Sequence, residues 1–111
     1  MRKFVCSMSY ELHHETGDEA RRLVRAELVG RRWLDRVEDR KLPANAVFMV
    51  RSAADDETTD DVHGACARDL RAAAEAVRRT GRPIVVVRAW VHVSGSGTYG
   101  PVAGELASPE G

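Results

Sequence analysis

The chain has 111 residues, 43% apolar and 31% charged, with seventeen Lys and Arg against seventeen Asp and Glu. That length suits one compact domain with a single core, which needs no disulfide or metal to stay folded. The charge balance excludes a global positive field for nucleic acid or an anionic membrane, so any such binding has to be regional.

Two cysteines, Cys6 and Cys66, fall far short of a disulfide framework and point to a reduced, cytoplasmic setting. The opening MRKFVCSMSYELHH meets serine, glutamate and histidine too early for a secretory apolar core, and no run approaches membrane-spanning length. A soluble protein with no membrane partner is expected.

Residues 3–12 alternate, with Phe4, Cys6, Met8, Tyr10 and Leu12 on one side and Lys3, Val5, Ser7, Ser9 and Glu11 on the other, the pattern of a half-buried strand. Thr16 and Glu19 have capping-box spacing, so a helix is predicted from near Gly17, with Ala20, Leu23, Val24 and Leu28 as its apolar stripe and Gly30 at its end. Between Arg32 and Asn45, Trp33, Leu34 and Val37 fit a helix continuation or a short strand before a turn at Pro43; the short strand is preferred. Ala46 to Ser52 reads as a central strand. Thr58 and Thr59, set among acidic residues, can cap a second helix from about Asp60 to Thr80, whose stripe is Val62, Cys66, Leu70, Ala73 and Val77. Gly81 and Pro83 stop it. Ile84 to Val93 is a ten-residue strand, with Val85, Val87, Ala89, Val91 and Val93 predicted on one face and Ile84, Val86, Arg88, Trp90 and His92 on the other.

This order predicts an α+β, ferredoxin-like (βαββαβ) two-layer sandwich over residues 1–93, an antiparallel sheet with two helices on one face. Residues 94–111, rich in Gly, Ser and Pro, read as a flexible tail. The uncovered face would carry Val5, Ser7, Ser9 and Glu11 from the first strand and Val86, Arg88, Trp90 and His92 from the last. Tryptophan and valines there are costly on a monomer, so a homodimer is expected.

Arg21, Arg22 and Arg25 open a basic sector that runs on to Lys41 and offers phosphate contacts, although acidic neighbours in the same stretch can pair with it as surface salt bridges. Arg88, early in the last strand, and Arg51, ending a neighbour taken as parallel, are expected near Glu11, as salt-bridge partners or as phosphate contacts. ELHHE looks like a ligand cluster, but adjacent strand residues point to opposite faces, so His13 and His14 cannot both join Glu11. Cys66, three residues from His63, belongs to an apolar stripe and reads as a buried thiol, and Cys6 points the same way.

The strand ending Ser9-Tyr10-Glu11-Leu12, the helix, the tryptophan after it, the AVFMV strand, the second helix and the valine-rich last strand together resemble the small CRISPR-associated adaptation subunit family. They are also similar to its ferredoxin-like relatives, the VapD-type ribonucleases and GhoS-type antitoxins. The resemblance spans roughly residues 3–93. It implies a dimer in which an acidic residue ending the first strand of each copy binds a divalent metal, Mg2+ or Mn2+. The matching position is Glu11, a glutamate where the family has aspartate. On this resemblance Glu11 is the metal ligand and catalytic carboxylate, and Ser9 on the same face orients the water.

Two functions follow as expectations. One is a small nucleic-acid-associated dimer acting on RNA or DNA, a metal-dependent endoribonuclease of the CRISPR-adaptation or toxin-antitoxin type, with a partner protein from such a phage-defence system. The other is a non-catalytic homodimeric scaffold that binds a partner protein, with Glu11 as a structural carboxylate.

Overall fold

The computed structural model describes residues 2–95, so the tail expected over 94–111 lies, from residue 96 on, outside the described residues. The elements are β1 (Arg2–Leu12), α1 (Asp18–Gly30), β2 (Arg36–Val37), β3 (Arg40–Lys41), β4 (Ala46–Ala53), α2 (Thr59–Arg78) and β5 (Val86–Ser94). They make a mixed α+β domain with an antiparallel sheet and two helices. The element order is not a clean βαββαβ.

β1 is the central strand of a three-stranded sheet in the order β4-β1-β5, antiparallel to both neighbours. Its alternation sends Phe4, Cys6, Met8, Tyr10 and Leu12 into one core, where they meet Ala20, Val24 and Leu28 of α1 and Val62, Cys66, Leu70, Ala73 and Val77 of α2. Both helices therefore cover the same side of the sheet. The stripe predicted for α2 is fully buried, and Thr58 caps that helix through a reciprocal box with Asp61.

Four expectations are corrected. The short strand predicted within 32–45 does not extend the main sheet. Instead β2 and β3 form a two-residue hairpin turned by Glu38 and Asp39, both at positive φ; Leu34 reaches the sheet through a single bridge to Phe48, and the Asn45 carbonyl, just ahead of β4, accepts the Tyr10 amide. Second, α1 begins after Gly17 with no side-chain cap, so Thr16 and Glu19 make no capping box. Its far end is closed by Arg32 in the left-handed region at φ 76°. The Trp33 amide donates to the Leu28 carbonyl, the Arg32 amide donates to that of Val29, and the buried Trp33 and Leu28 side chains complete the motif.

Third, the side alternation of the last strand switches at a bulge. The pairing runs Glu11 with Arg88 but Leu12 with Val86, leaving Val87 as an extra residue. Before the bulge, Ile84 and Val86 face the core while Val85 and Val87 are exposed, the reverse of simple alternation. Fourth, β4 runs antiparallel to β1, which places Arg51 beside Phe4, at the opposite end of β1 from Glu11.

Candidate functional site

With both helices on one side, the other side of the sheet is bare, and the register gives its surface row by row. Leu34, Phe48, Ser7 and His92 lie abreast; next to them come Val50, Val5 and Ser94 on one side and Ala46, Ser9 and Trp90 on the other. Trp90 is 68% exposed, and Leu34 and Val50 are each exposed by more than two fifths. Lys3 and Ser52 stand at one end of this face, Glu11 and Arg88 at the other.

At the acidic end, Arg88 Nε donates to Glu11 Oε2 at 2.7 Å between directly opposed strand positions. Both side chains are more than half exposed, so this pair contributes at most about 1 kcal/mol and is free to exchange partners. Ser9, Glu11, Asn45, Arg88 and Trp90 line a shallow pocket of about 400 Å³ around it. The expected Glu11–Arg88 salt bridge is thus present, with Ser9 on the same face and Arg51 absent from it.

The remaining predicted contacts separate. Arg51 projects to the helix-covered side, where Nη1 donates to Asp69 Oδ2 at 3.2 Å and lies 4.0 Å from Cys66 Sγ. Arg25 is directed at backbone: its terminal nitrogens donate to the carbonyls of Asp35, Leu42, Pro43, Ala44 and Ala46. Arg21 likewise donates to the carbonyls of His13 and Thr16. Of the helix arginines named as phosphate contacts, Arg22 alone projects into solvent, beside Glu19. The three do not form one basic surface.

The ELHHE histidines stack on each other with ring centroids 4.2 Å apart, and His13 Nδ1 accepts the Glu15 amide, so neither is turned toward Glu11. Among the described residues no three His, Cys, Asp or Glu side chains gather as a metal-ligand group. Glu11 offers one carboxylate per chain, and Mg2+ or Mn2+ is usually held by one or two carboxylates with water and substrate oxygens. A second copy of this face would supply the second.

Sequence reasoning missed two groupings. One is the apolar row through Leu34 and Phe48, hidden because the hairpin region gave no clear period. The other is a partly buried polar cluster in which Asp69 accepts from both Trp33 Nε1 and Arg51, with Arg51 also beside Cys66. Its signal was present: Val47, Met49 and Arg51 alternate, so Arg51 shares the core-facing side of β4. Comparison with family models, curated proteins and solved structures found no match to this chain.

Proposed function

We propose that the chain is a ferredoxin-like, non-catalytic scaffold that works as a homodimer joined through the bare face of its sheet. The observation that carries this reading is Trp90, 68% exposed on a face that also presents Leu34, Val50 and Val5 with no helix over it. Adding the Leu34 bridge outside β4 to the order β4-β1-β5 gives the strand order of a ferredoxin-like sheet with its second strand reduced to one bridge, which supports the fold half of the proposal. Charge supports the choice of a second copy as occupant. Glu11 is balanced by Arg88 at one end of the face, so the apolar rows of two copies can meet with no unpaired charge there, and a two-fold axis that apposes opposite ends sets Lys3 of each copy toward that Glu11–Arg88 pair of the other.

Sedimentation equilibrium of the native chain and of Trp90→Glu tests this. The expected result is a dimer that becomes a monomer with unchanged far-UV dichroism in the variant; a single monomeric species at every concentration overturns it.

A second reading keeps the nucleic-acid function. Glu11, Ser9 and Arg88 share one exposed end of that face, so a dimer about a different two-fold axis, one that apposes like ends, would bring two carboxylates to one divalent ion, with the metal activating water at a phosphodiester and Arg88 moving from Glu11 to phosphate. Cleavage of RNA or DNA that requires added Mg2+ or Mn2+ and is lost in Glu11→Gln, with the dimer intact, selects this reading over the scaffold.

A further inference from the structure

We propose that Cys6 and Cys66 form a two-thiol redox switch, oxidised once per chain by a small hydroperoxide and closing to an intramolecular disulfide between β1 and α2, a property beyond the non-catalytic scaffold role. The fold brings the two thiols into one core from opposite layers. Cys6 stands at the middle of the central strand on its core-facing side, and Cys66 stands on the buried stripe of the helix packed over it. Both are free and fully buried, and they belong to the same core cluster.

The surroundings distinguish this from two core thiols that happen to touch. Arg51 Nη1 lies 4.0 Å from Cys66 Sγ and 3.7 Å from Met49 Sδ, and Met49 is the cross-strand partner of Cys6. The guanidinium is held there by Asp69, which is itself fixed by Trp33 Nε1 at 2.9 Å. A positioned cation beside one of two adjacent thiols is the arrangement that favours thiolate on that sulfur and leaves the other to resolve it. Cys66 is drawn below the ordinary thiol value, first by the hydrogen bond from Cys6 and then by Arg51, against the opposing effect of burial.

The chemistry balances with a hydroperoxide as the oxidant. The Cys66 thiolate attacks the terminal peroxide oxygen; an S–O bond forms, the O–O bond breaks, and the leaving oxygen takes up the proton that Cys66 gave up. Cys6 sulfur then attacks the sulfenic sulfur, an S–S bond forms, the S–O bond breaks and water leaves with the Cys6 proton. Two thiols supply the two electrons. Enclosure of both sulfurs selects the oxidant by size: hydrogen peroxide can enter on a local opening, whereas a tripeptide disulfide needs the helix lifted from the sheet.

The test is intact-mass analysis of the reduced, native chain after exposure to hydrogen peroxide or to glutathione disulfide, with a denaturing alkylation step to count remaining thiols. The expected result with peroxide is loss of both thiols together in a single-chain product lighter by two hydrogens and restored by dithiothreitol, with no glutathione adduct. In Cys6→Ser the reaction stops at a sulfenic acid on Cys66 that dimedone traps. Two free thiols after peroxide treatment of chain that stays folded by dichroism overturn the proposal, as does a disulfide formed only between chains, only in urea, or only with glutathione disulfide. The wild-type measurement decides the matter even where a cysteine variant fails to fold.

Discussion

Trp33 Nε1 and Arg51 Nη1 donate to the same oxygen of Asp69, at 2.9 and 3.2 Å, so one carboxylate ties the turn after α1, the strand β4 and the helix α2 together. Trp33 is fully buried, and its indole N–H is satisfied there by Asp69. Removing the carboxylate strands both an indole N–H and a partly buried guanidinium. Asp69→Ala is therefore expected to cost about 3 kcal/mol in urea unfolding. The double variant Arg51→Met, Asp69→Leu removes the unpaired charge as well and should recover part of that loss. A double variant no more stable than Asp69→Ala would contradict the account.

Arg25 does for the hairpin region what a strand ladder would otherwise do. Five backbone carbonyls between Asp35 and Ala46 converge on its two terminal nitrogens, so the irregular segment is held by a side chain from α1. Arg25→Met keeps the aliphatic stem and removes the donors; the expected cost is about 2 kcal/mol. Arg25→Lys should rescue little, because an ammonium cannot span the fan of acceptors that a planar fork reaches. The local signature is faster proteolytic cleavage between residues 35 and 45 in both variants, with cleavage elsewhere unchanged.

Much of this fold was legible because local chemistry and global packing agree. The alternation of Phe4 to Leu12 and the helical stripe from Val62 to Val77 each name a buried face, and both faces are buried as read. The Glu11–Arg88 contact was readable from strand direction alone. Reading failed where a non-local contact outweighs the local signal. The 32–45 segment has no period because four of its carbonyls, those of Asp35, Leu42, Pro43 and Ala44, are satisfied by Arg25 rather than by a neighbouring strand. The valines of β5 change sides because a bulge at Val87 adds one residue, and a continuous valine run carries no mark of where the phase slips. Arg51 was misplaced because its strand was taken as parallel to β1, although the antiparallel sheet expected from the element order already runs it the other way, as the structure has it.

The Glu11–Arg88 pair is a discriminator between its structural and chemical roles. Its exposure leaves it weak as a source of stability, so Glu11→Gln and Arg88→Gln are each expected to change unfolding free energy by less than about 1 kcal/mol. Raising salt should shrink even that difference, because an exposed pair is screened. A loss of several kcal/mol in either variant would mean that the strand end depends on the pair, and would remove the freedom to exchange partners on which the nucleic-acid reading depends.

Arg32 closes α1 from the left-handed region, at φ 76°, a conformation that costs an L-residue about 1 kcal/mol and glycine almost nothing. No hydrogen bond or ion pair of the Arg32 side chain offsets this among the described contacts. Arg32→Gly is therefore expected to stabilise the chain by about 0.5–1 kcal/mol, with a raised thermal midpoint and an unchanged oligomeric state. The same change at Arg31, whose φ is −96°, should bring no gain. Equal effects at the two positions would show that the helix end is not strained at Arg32.

The thiol pair makes stability depend on pH in a direction that follows from its hydrogen bond. Cys66 is lowered to about 7, by the hydrogen bond from Cys6 ahead of Arg51, whereas Cys6 is pushed upward by that same bond and by burial; unfolded, both return to about 9.0. Between 7 and 9 the folded pair has released one proton and the unfolded chain none, so the Cys66 contribution grows as pH rises. It is complete above the unfolded value and is lost as pH falls through 7. The Cys6 contribution has the opposite sign, present below 9 and lost above it, because the unfolded chain then gives up two protons while the folded pair holds one. Under reducing conditions the urea midpoint should accordingly pass through a maximum near pH 9 relative to Cys66→Ser, in which the bonded pair is gone. A constant difference between the two proteins from below pH 7 to above pH 9 would mean that folding leaves the Cys66 titration unshifted.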